Sequence, residues 1–207
     1  MKGLLLKDMY QLLRIVGRYL VFILILLVIN LFTDAVFFNI YLPVMAGMIV
    51  VSLYSLDEKA KWEQYSLTLP VTRFEIVAEK YILCLIINLA ATVLLFLSLG
   101  VYQFFSGTLN PAALIWRTAL MLALGIFPFA FSMPMMFGYG SEEGRLLAIC
   151  ATVLGVLPIV VIAMGTNLAI SENPPSYVSA IVLIAVTALI YALSLAVSVL
   201  LYKNREL

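Results

Sequence analysis

The chain alternates long apolar runs with short polar segments. Six runs are long enough, or nearly so, to cross a bilayer as a helix, which takes roughly 20 apolar residues. They cover approximately residues 19–32, 36–56, 81–105, 113–137, 146–165 and 177–202. The first run is short, and Thr33, Asp34 and Asn39 leave the boundary between the first two runs open. The pattern predicts an all-α integral membrane protein with six transmembrane helices.

Composition supports this class and excludes several others. The 207 residues are 65% hydrophobic and 11% charged, and the mean hydropathy is +1.14, values that a soluble domain of this size does not carry. Net charge is +1 and histidine is absent, so a basic nucleic-acid surface and a histidine metal site are both excluded. Cys84 and Cys150 lie inside apolar runs, where they are interpreted as packing residues.

Residues 1–18 precede the first run and have a pattern of their own. An apolar stripe and a polar face recur at helical spacing. The stripe contains Leu5, Met9, Leu12, Leu13 and Val16, and the polar face contains Lys7, Gln11, Arg14 and Arg18. We expect residues 1–18 to form an amphipathic helix on the cytoplasmic membrane surface, and residues 19–207 to form one six-span domain. A solvated positive flank would explain the charges but not the stripe.

The distribution of positive charge predicts the orientation. If the N-terminus is cytoplasmic, eleven of the 12 lysine and arginine residues fall in cytoplasmic segments, and Arg117 alone lies near the outer side. Cytoplasmic loops retain such an excess. Both termini and the segment 57–80 are therefore expected in the cytoplasm.

The segment 57–80, DEKAKWEQYSLTLPVTRFEIVAEK, holds nine of the 23 charged residues. Thr72 and Glu75 have the T-x-x-E spacing of a capping box, which predicts that the third helix begins there. Residues 57–65 are expected to form a short separate helix ahead of it. Trp62 and Tyr65 with their charged neighbours have the composition of a docking site, although an aromatic belt at the lipid headgroups remains an open alternative.

The motif D-E-K-x-K-W-E followed by S-L-T-L-P-V-T-R-x-E-I-V-x-E-K-Y resembles the membrane subunits of ATP-binding cassette exporters of the type-two permease family. In particular, it resembles small bacterial permeases that are paired with a separately encoded ATPase, including those that export amphipathic peptides such as phenol-soluble modulins. The resemblance implies a coupling helix in the segment 57–80 that contacts a separate cytoplasmic ATPase subunit. The residues it nominates are Asp57, Glu58, Lys59, Lys61, Trp62, Glu63 and Tyr65. It also implies a homodimer with two ATPase chains in the bacterial cell membrane.

The chain lacks the phosphate-binding motif G-x-x-x-x-G-K-[ST]. We therefore expect no enzymatic activity and no bound cofactor or metal in this chain, with ATP and Mg²⁺ bound by the partner ATPase. Gradient-driven carriers usually place ionisable residues near the midplane of the membrane. Here Asp34 and Arg117 lie near the outer edge of their runs, and the other charges map to loops or termini.

The fourth run contains GIFPFAFSMPMMFGYG, in which prolines, phenylalanines and methionines are concentrated. Methionine gives an adaptable apolar surface, so Phe129, Met133 and Met136 are candidate pathway residues. A kinked, packed helix is the alternative interpretation of the same residues.

The function expected from these observations is the permease subunit of an exporter for amphipathic or antimicrobial-type peptides. One alternative is a membrane anchor or immunity subunit that recruits an ATPase without forming a pathway. A gradient-driven carrier is a further alternative.

Overall fold

The computed structural model describes residues 2–32, 36–66, 72–108, 110–169 and 177–204. All regular secondary structure in these ranges is helical. The helices are α1 (Lys2–Phe32), α2 (Val36–Lys59), α3 (Trp62–Ser66), α4 (Arg73–Phe105), α5 (Pro111–Ala169) and α6 (Tyr177–Asn204). The predicted all-α class is confirmed.

Four helical segments of the described chain are long and apolar enough to cross a membrane. They are Asn39–Lys59, Arg73–Phe105, Pro111–Gly140 and Tyr177–Asn204. A fifth is obtained if the two parts of α1 form one span. The predicted run 146–165 lies in the second part of α5, where the apolar helix Leu146–Gly155 is shorter than a full span. The described residues thus support four or five spans, and the count of six stays a prediction.

Helix α1 is bent by 63° between its parts Gly3–Gly17 and Leu20–Ile29. The bend falls where the sequence separates the lead 1–18 from the first apolar run. The first part buries Leu4, Asp8, Leu12 and Ile15, which lie on one helical face. The residues of the predicted apolar stripe do not share one environment, because Leu12 is buried whereas Leu13 is exposed. Its location at a membrane surface stays a prediction.

The predicted short separate helix ahead of α4 is present, but it covers Trp62–Ser66 and not residues 57–65. Helix α2 continues to Lys59, the chain turns at Ala60 and Lys61, and α3 begins at Trp62. Lys61 has φ 54°, a left-handed conformation that interrupts a right-handed helix. The amide of Lys61 donates to the carbonyl oxygen of Glu58 at 2.8 Å and closes the turn. The nominated residues are therefore divided between the end of α2, the turn and α3.

Helix α4 begins at Arg73, and the predicted capping box is present. The Thr72 amide donates to Glu75 Oε2 at 2.9 Å, and the Glu75 amide donates to Thr72 Oγ1 at 3.2 Å. At about 1.5 Å per residue, the 33 residues of α4 extend about 50 Å, whereas a hydrocarbon core is about 30 Å thick. Helix α4 is therefore long enough to extend beyond the hydrocarbon core.

Helix α5 is broken at Gly140, where φ is 84° and ψ is 174°. Gly140 is the position within α5 that leaves helical geometry, and the chain is helical on both sides. Glycine allows this positive φ at no steric cost. Residues 170–176, between α5 and α6, lie outside the described ranges.

Helices α2, α4 and α5 approach closely in the interior. A Cβ atom on Gly47 would lie 2.2 Å from the carbonyl oxygen of Gly125, and one on Gly125 would lie 1.7 Å from Asn88 Oδ1. Both distances are far below van der Waals contact. The two glycines therefore allow the backbones of α2 and α5 to meet beside α4.

Candidate functional site at the charged end of the bundle

Four charged side chains meet at the end of the bundle where α2 ends and α4 begins. Lys80 of α4 donates to Asp57 Oδ2 of α2 at 2.5 Å and to Asp8 of α1. Lys7 of α1 lies 2.8 Å from Asp57 Oδ1 and 3.1 Å from Asp8 Oδ1. We call Lys7, Asp8, Asp57 and Lys80 the ion cluster. It joins three helices through alternating charges.

The ion cluster is buried, which makes its pairing necessary. Asp8, Asp57 and Lys80 are at most 3% exposed. A buried charge without a partner is strongly unfavourable, whereas well-placed opposite charges offset the loss of hydration. Glu79, also buried, lies beside Asp8, and its Oε1 atom has no hydrogen-bond partner among the described residues. Any change in charge here is therefore expected to disturb all three helices.

The roles of Asp8 and Lys80 in the ion cluster were not predicted from the sequence. A signal existed in the lead segment, because Asp8 lies one turn from both Leu4 and Leu12 on the same helical face. A carboxylate on an apolar face indicates a buried partner of opposite charge. The pattern could not identify that partner, because Lys80 is 72 residues away in the chain.

Helix α3 contacts the ion cluster through an aromatic ring. Lys7 Nζ lies 4.1 Å from the centroid of the Trp62 ring, a distance at which a cation is attracted to the ring face. The rings of Trp62 and Tyr65 are 5.3 Å apart between centroids. Tyr65 is 57% exposed. Helix α3 therefore has one aromatic side chain against α1 and another at the surface.

The seven nominated coupling residues differ in position. Asp57 is buried in the ion cluster, so its carboxylate is directed at Lys7 and Lys80 and not at the surface. Lys59, Lys61 and Tyr65 are exposed, whereas Glu58 and Trp62 are half-buried. Glu63 lies in α3. The surface around α3 is therefore formed by the end of α2, the turn and α3 together.

Arg73 joins the start of α4 to the end of α6. Its guanidinium donates to the carbonyl oxygens of Tyr202 at 3.1 Å and Lys203 at 2.8 Å. A cation that satisfies the last carbonyl groups of a helix is favourable there. This contact places the last turn of α6 at the charged end of the bundle.

On its other side α4 is held by hydroxyl groups. The Tyr81 hydroxyl lies 2.6 Å from Ser194 Oγ and 2.7 Å from Ser198 Oγ, and the Tyr191 hydroxyl donates to the Tyr81 carbonyl oxygen. Ser194 also donates to the carbonyl oxygen of Ala130 at 2.5 Å. We call Tyr81, Tyr191, Ser194 and Ser198 the hydroxyl network, which binds α4 to α6 and α5 without charges.

The three candidate pathway residues are packing residues in this structure. Phe129, Met133 and Met136 belong to the buried core. The Phe129 ring packs edge-on against Tyr81 at a centroid distance of 4.9 Å. Met136 in addition lines an open cavity of about 1020 Å³. The structure therefore brings one of the three predicted residues to a cavity.

This cavity lies between α1, α2 and the two parts of α5. Its apolar lining includes Met45 and Met48, and its polar lining includes Lys59 and hydroxyl groups. The hydroxyl groups belong to Tyr41, Ser52, Ser55, Ser132 and Thr152. The cavity thus offers apolar and hydrogen-bonding surface together. Among the described residues, no group of three or more cysteine, aspartate or glutamate side chains could hold a metal ion.

A family model described as ABC-2 family transporter protein matches residues 3–203 of this sequence. The chain belongs to the ABC-2 transporter family. Membership of the ABC-2 family, together with the apolar helices, makes the chain a multi-pass membrane protein and the permease subunit of an ABC transporter. An ABC-2 permease works with an ATP-binding subunit. No match was found among curated proteins or among solved structures.

Proposed function

We propose that this ABC-2 permease is the transmembrane subunit of an exporter and that α3 with its flanking turns is its coupling helix. In this proposal six spans cross a bacterial cell membrane, and both termini lie in the cytoplasm. The observation that carries the proposal is the arrangement around α3. A short helix ahead of α4 exposes Tyr65, while Trp62 contacts Lys7 of the buried ion cluster.

The surface around α3 has the composition of a docking site. Protein interfaces favour aromatic anchors surrounded by polar and charged residues. Here Tyr65 is exposed, and the exposed residues Lys59 and Lys61 directly precede α3 in the chain. Because Trp62 packs against Lys7, movement of α3 is transmitted to the helices that the ion cluster joins. An aromatic belt at the membrane surface would not require that contact.

The partner supplies the chemistry in this proposal. The chain lacks the phosphate-binding motif that cradles ATP, so ATP and Mg²⁺ are bound by a separate cytoplasmic ATPase and not by this chain. Two copies of the permease assemble with two ATPase chains. ATP-driven closure of the ATPase pair displaces α3 and changes the packing of α2 and α4.

The proposed substrate class is amphipathic or antimicrobial-type peptides. Support comes from the cavity of about 1020 Å³, whose lining combines methionine side chains with hydroxyl groups. Methionine adapts to varied apolar shapes, and hydroxyl groups can pair with the polar face of a peptide. Met136, one of the predicted pathway residues, lies on this lining.

Co-purification of the tagged full-length chain tests the coupling site. We expect an ATPase subunit to accompany the wild type and to be lost from the variant Trp62→Ala with Glu58→Lys. Tyr177→Ala is a matched control, because Tyr177 is an exposed aromatic residue at the other end of α6. Absence of an ATPase from the intact wild-type protein would contradict the proposal.

The reconstituted complex separates an exporter from its alternatives. An exporter should hydrolyse ATP faster when an amphipathic peptide is added and should move that peptide across the vesicle membrane. A membrane anchor or immunity subunit would bind the ATPase without peptide stimulation. Transport without ATPase would instead indicate a gradient-driven carrier.

A further inference from the structure

Lys7 lies at a junction between the ion cluster and α3. Its ammonium group is 2.8 Å from Asp57 Oδ1, 3.1 Å from Asp8 Oδ1 and 4.1 Å from the centroid of the Trp62 ring. The Lys7 side chain is 22% exposed, whereas that of Lys80 is 4% exposed. Lys7 is therefore the outer cation of the cluster and the one that contacts α3.

The charges of the cluster fix the position of this ammonium group. Asp8 and Asp57 are two buried carboxylates, and Lys80 supplies one positive charge between them. Lys7 supplies the second: it donates a hydrogen bond to Asp57 Oδ1 and lies within ion-pair distance of Asp8 Oδ1, which accepts no hydrogen bond from the described residues. An ammonium group held in this way cannot follow the Trp62 ring if the ring moves. The ring must instead leave the cation, or the first part of α1 must move with it.

The shape of α1 favours the second outcome. The part Gly3–Gly17, which carries Lys7 and Asp8, is separated from Leu20–Ile29 by the 63° bend. A bent helix can change its angle at the bend while both parts stay helical. The first part can therefore move as a unit with α3.

We propose that Lys7 is a positioning residue that ties α3 to the first part of α1, so that displacement of α3 moves this part and the ion cluster. The route runs from Trp62 through Lys7 to Asp57 and Asp8, and from these to Lys80 on α4. The contact between α1 and α3 stands independently of the proposed function. Its part in export rests on that function.

Hydrogen exchange of the purified full-length chain in lipid nanodiscs tests the contact. Trp62→Leu removes the ring, Trp62→Phe retains a ring, and Lys7→Met removes the charge but keeps an unbranched side chain. Arg14→Met is the matched control, because Arg14 is an exposed cation two turns further along the same face of α1.

We expect the amides of Trp62–Ser66 to exchange on the order of fivefold faster in Trp62→Leu and in Lys7→Met, as loss of a cation–ring contact predicts. In Trp62→Phe and in Arg14→Met, these amides should exchange at nearly the wild-type rate. The double variant Lys7→Met with Trp62→Leu should exchange no faster than the faster single variant, because both remove one contact. The proposal would be overturned if the increases in exchange rate of the two single variants multiplied in the double variant. It would also be overturned if the amides of Trp62–Ser66 exchanged at the same rate in Trp62→Leu and in Trp62→Phe.

Trp62→Leu leaves all four charges of the ion cluster in place. The comparison of Trp62→Leu with Trp62→Phe therefore tests the contact even if Lys7→Met fails to fold. A second readout uses the co-purified ATPase complex. Lys7→Met should retain the ATPase but lose most of its stimulation by amphipathic peptide, and Arg14→Met should retain both. If the wild type binds no ATPase, the proposed function fails while the exchange result still stands. If Lys7→Met is stimulated like the wild type, the role of Lys7 in coupling fails instead.

Discussion

Two sides of α4 differ in how they are held at the charged end of the bundle. Lys80 is directed at α1 and α2, where it pairs with Asp8 and Asp57. The next residue, Tyr81, is directed at α6 and α5 and belongs to the hydroxyl network. One helical position thus separates a charged contact from an uncharged one.

This difference indicates which contacts of α4 can transmit a movement between helices. Buried ion pairs are balanced between a large hydration loss and a large attraction, so a small displacement of one partner changes their free energy greatly. Hydrogen bonds between neutral hydroxyl groups contribute about 1 kcal/mol each and depend less on neighbouring charges. We therefore expect α4 to stay with α5 and α6, while the contacts to α1 and α2 rearrange.

Replacing Lys80 should produce the largest loss of stability. Lys80→Met leaves the carboxylates of Asp8 and Asp57 with Lys7 as the one remaining cation of the ion cluster. Breaking a buried pair by removing one partner costs about 3–5 kcal/mol. The free energy of unfolding, measured by reversible denaturation in detergent, should fall by that amount.

A second change should restore part of this loss. Adding Asp8→Asn to Lys80→Met leaves Lys7 to pair with Asp57, so the excess of buried negative charge decreases. Equal stability of the wild type and Lys80→Met, or no recovery in the double variant, would contradict the role given to the ion cluster.

Removing the Tyr81 hydroxyl should have a smaller effect. Tyr81→Phe keeps the ring contact with Phe129 but loses the contacts with Ser194 and Ser198. We expect a loss of about 1–2 kcal/mol in the free energy of unfolding. Tyr139→Phe, at an exposed tyrosine, is the control and should change little. A loss as large as that of Lys80→Met would remove the distinction between the two sides of α4.

The smallest loss of stability is expected at the start of α4, which precedes both Lys80 and Tyr81 in the chain. Thr72→Ala removes the side chain that accepts the Glu75 amide hydrogen bond, and loss of such a cap costs about 1 kcal/mol. Hydrogen exchange should quicken in the first turn of α4 and remain unchanged beyond Tyr81. Thr72→Ser should retain the cap, so equal exchange in the serine and alanine variants would argue against it.

Short-range patterns predicted much of this fold. Apolar runs identified the helices, and the T-x-x-E spacing of Thr72 and Glu75 predicted where α4 begins. These signals depend on residues within a few positions of each other. The break between α2 and α3 escaped prediction, because the left-handed conformation of Lys61 has no distinctive residue type.

Long-range pairing could not be read from the sequence. Asp57 was nominated for a surface through the family resemblance of the segment 57–80, but it is buried and pairs with Lys7 and Lys80. Phe129 was nominated for a pathway because of its residue type, but Tyr81 covers its ring. In both cases the decisive neighbour lies on another helix.

Site-specific photo-cross-linking tests the central claim most directly, namely that the surface around α3 contacts the ATPase. A benzophenone amino acid would replace Tyr65 in one variant and Tyr177 in another, both exposed tyrosines. Tyr177 begins α6, about 42 Å along a 28-residue helix from the end that Arg73 contacts. We predict cross-links to the ATPase subunit from position 65 and none from position 177. Cross-links from position 177 but not from position 65 would contradict the account.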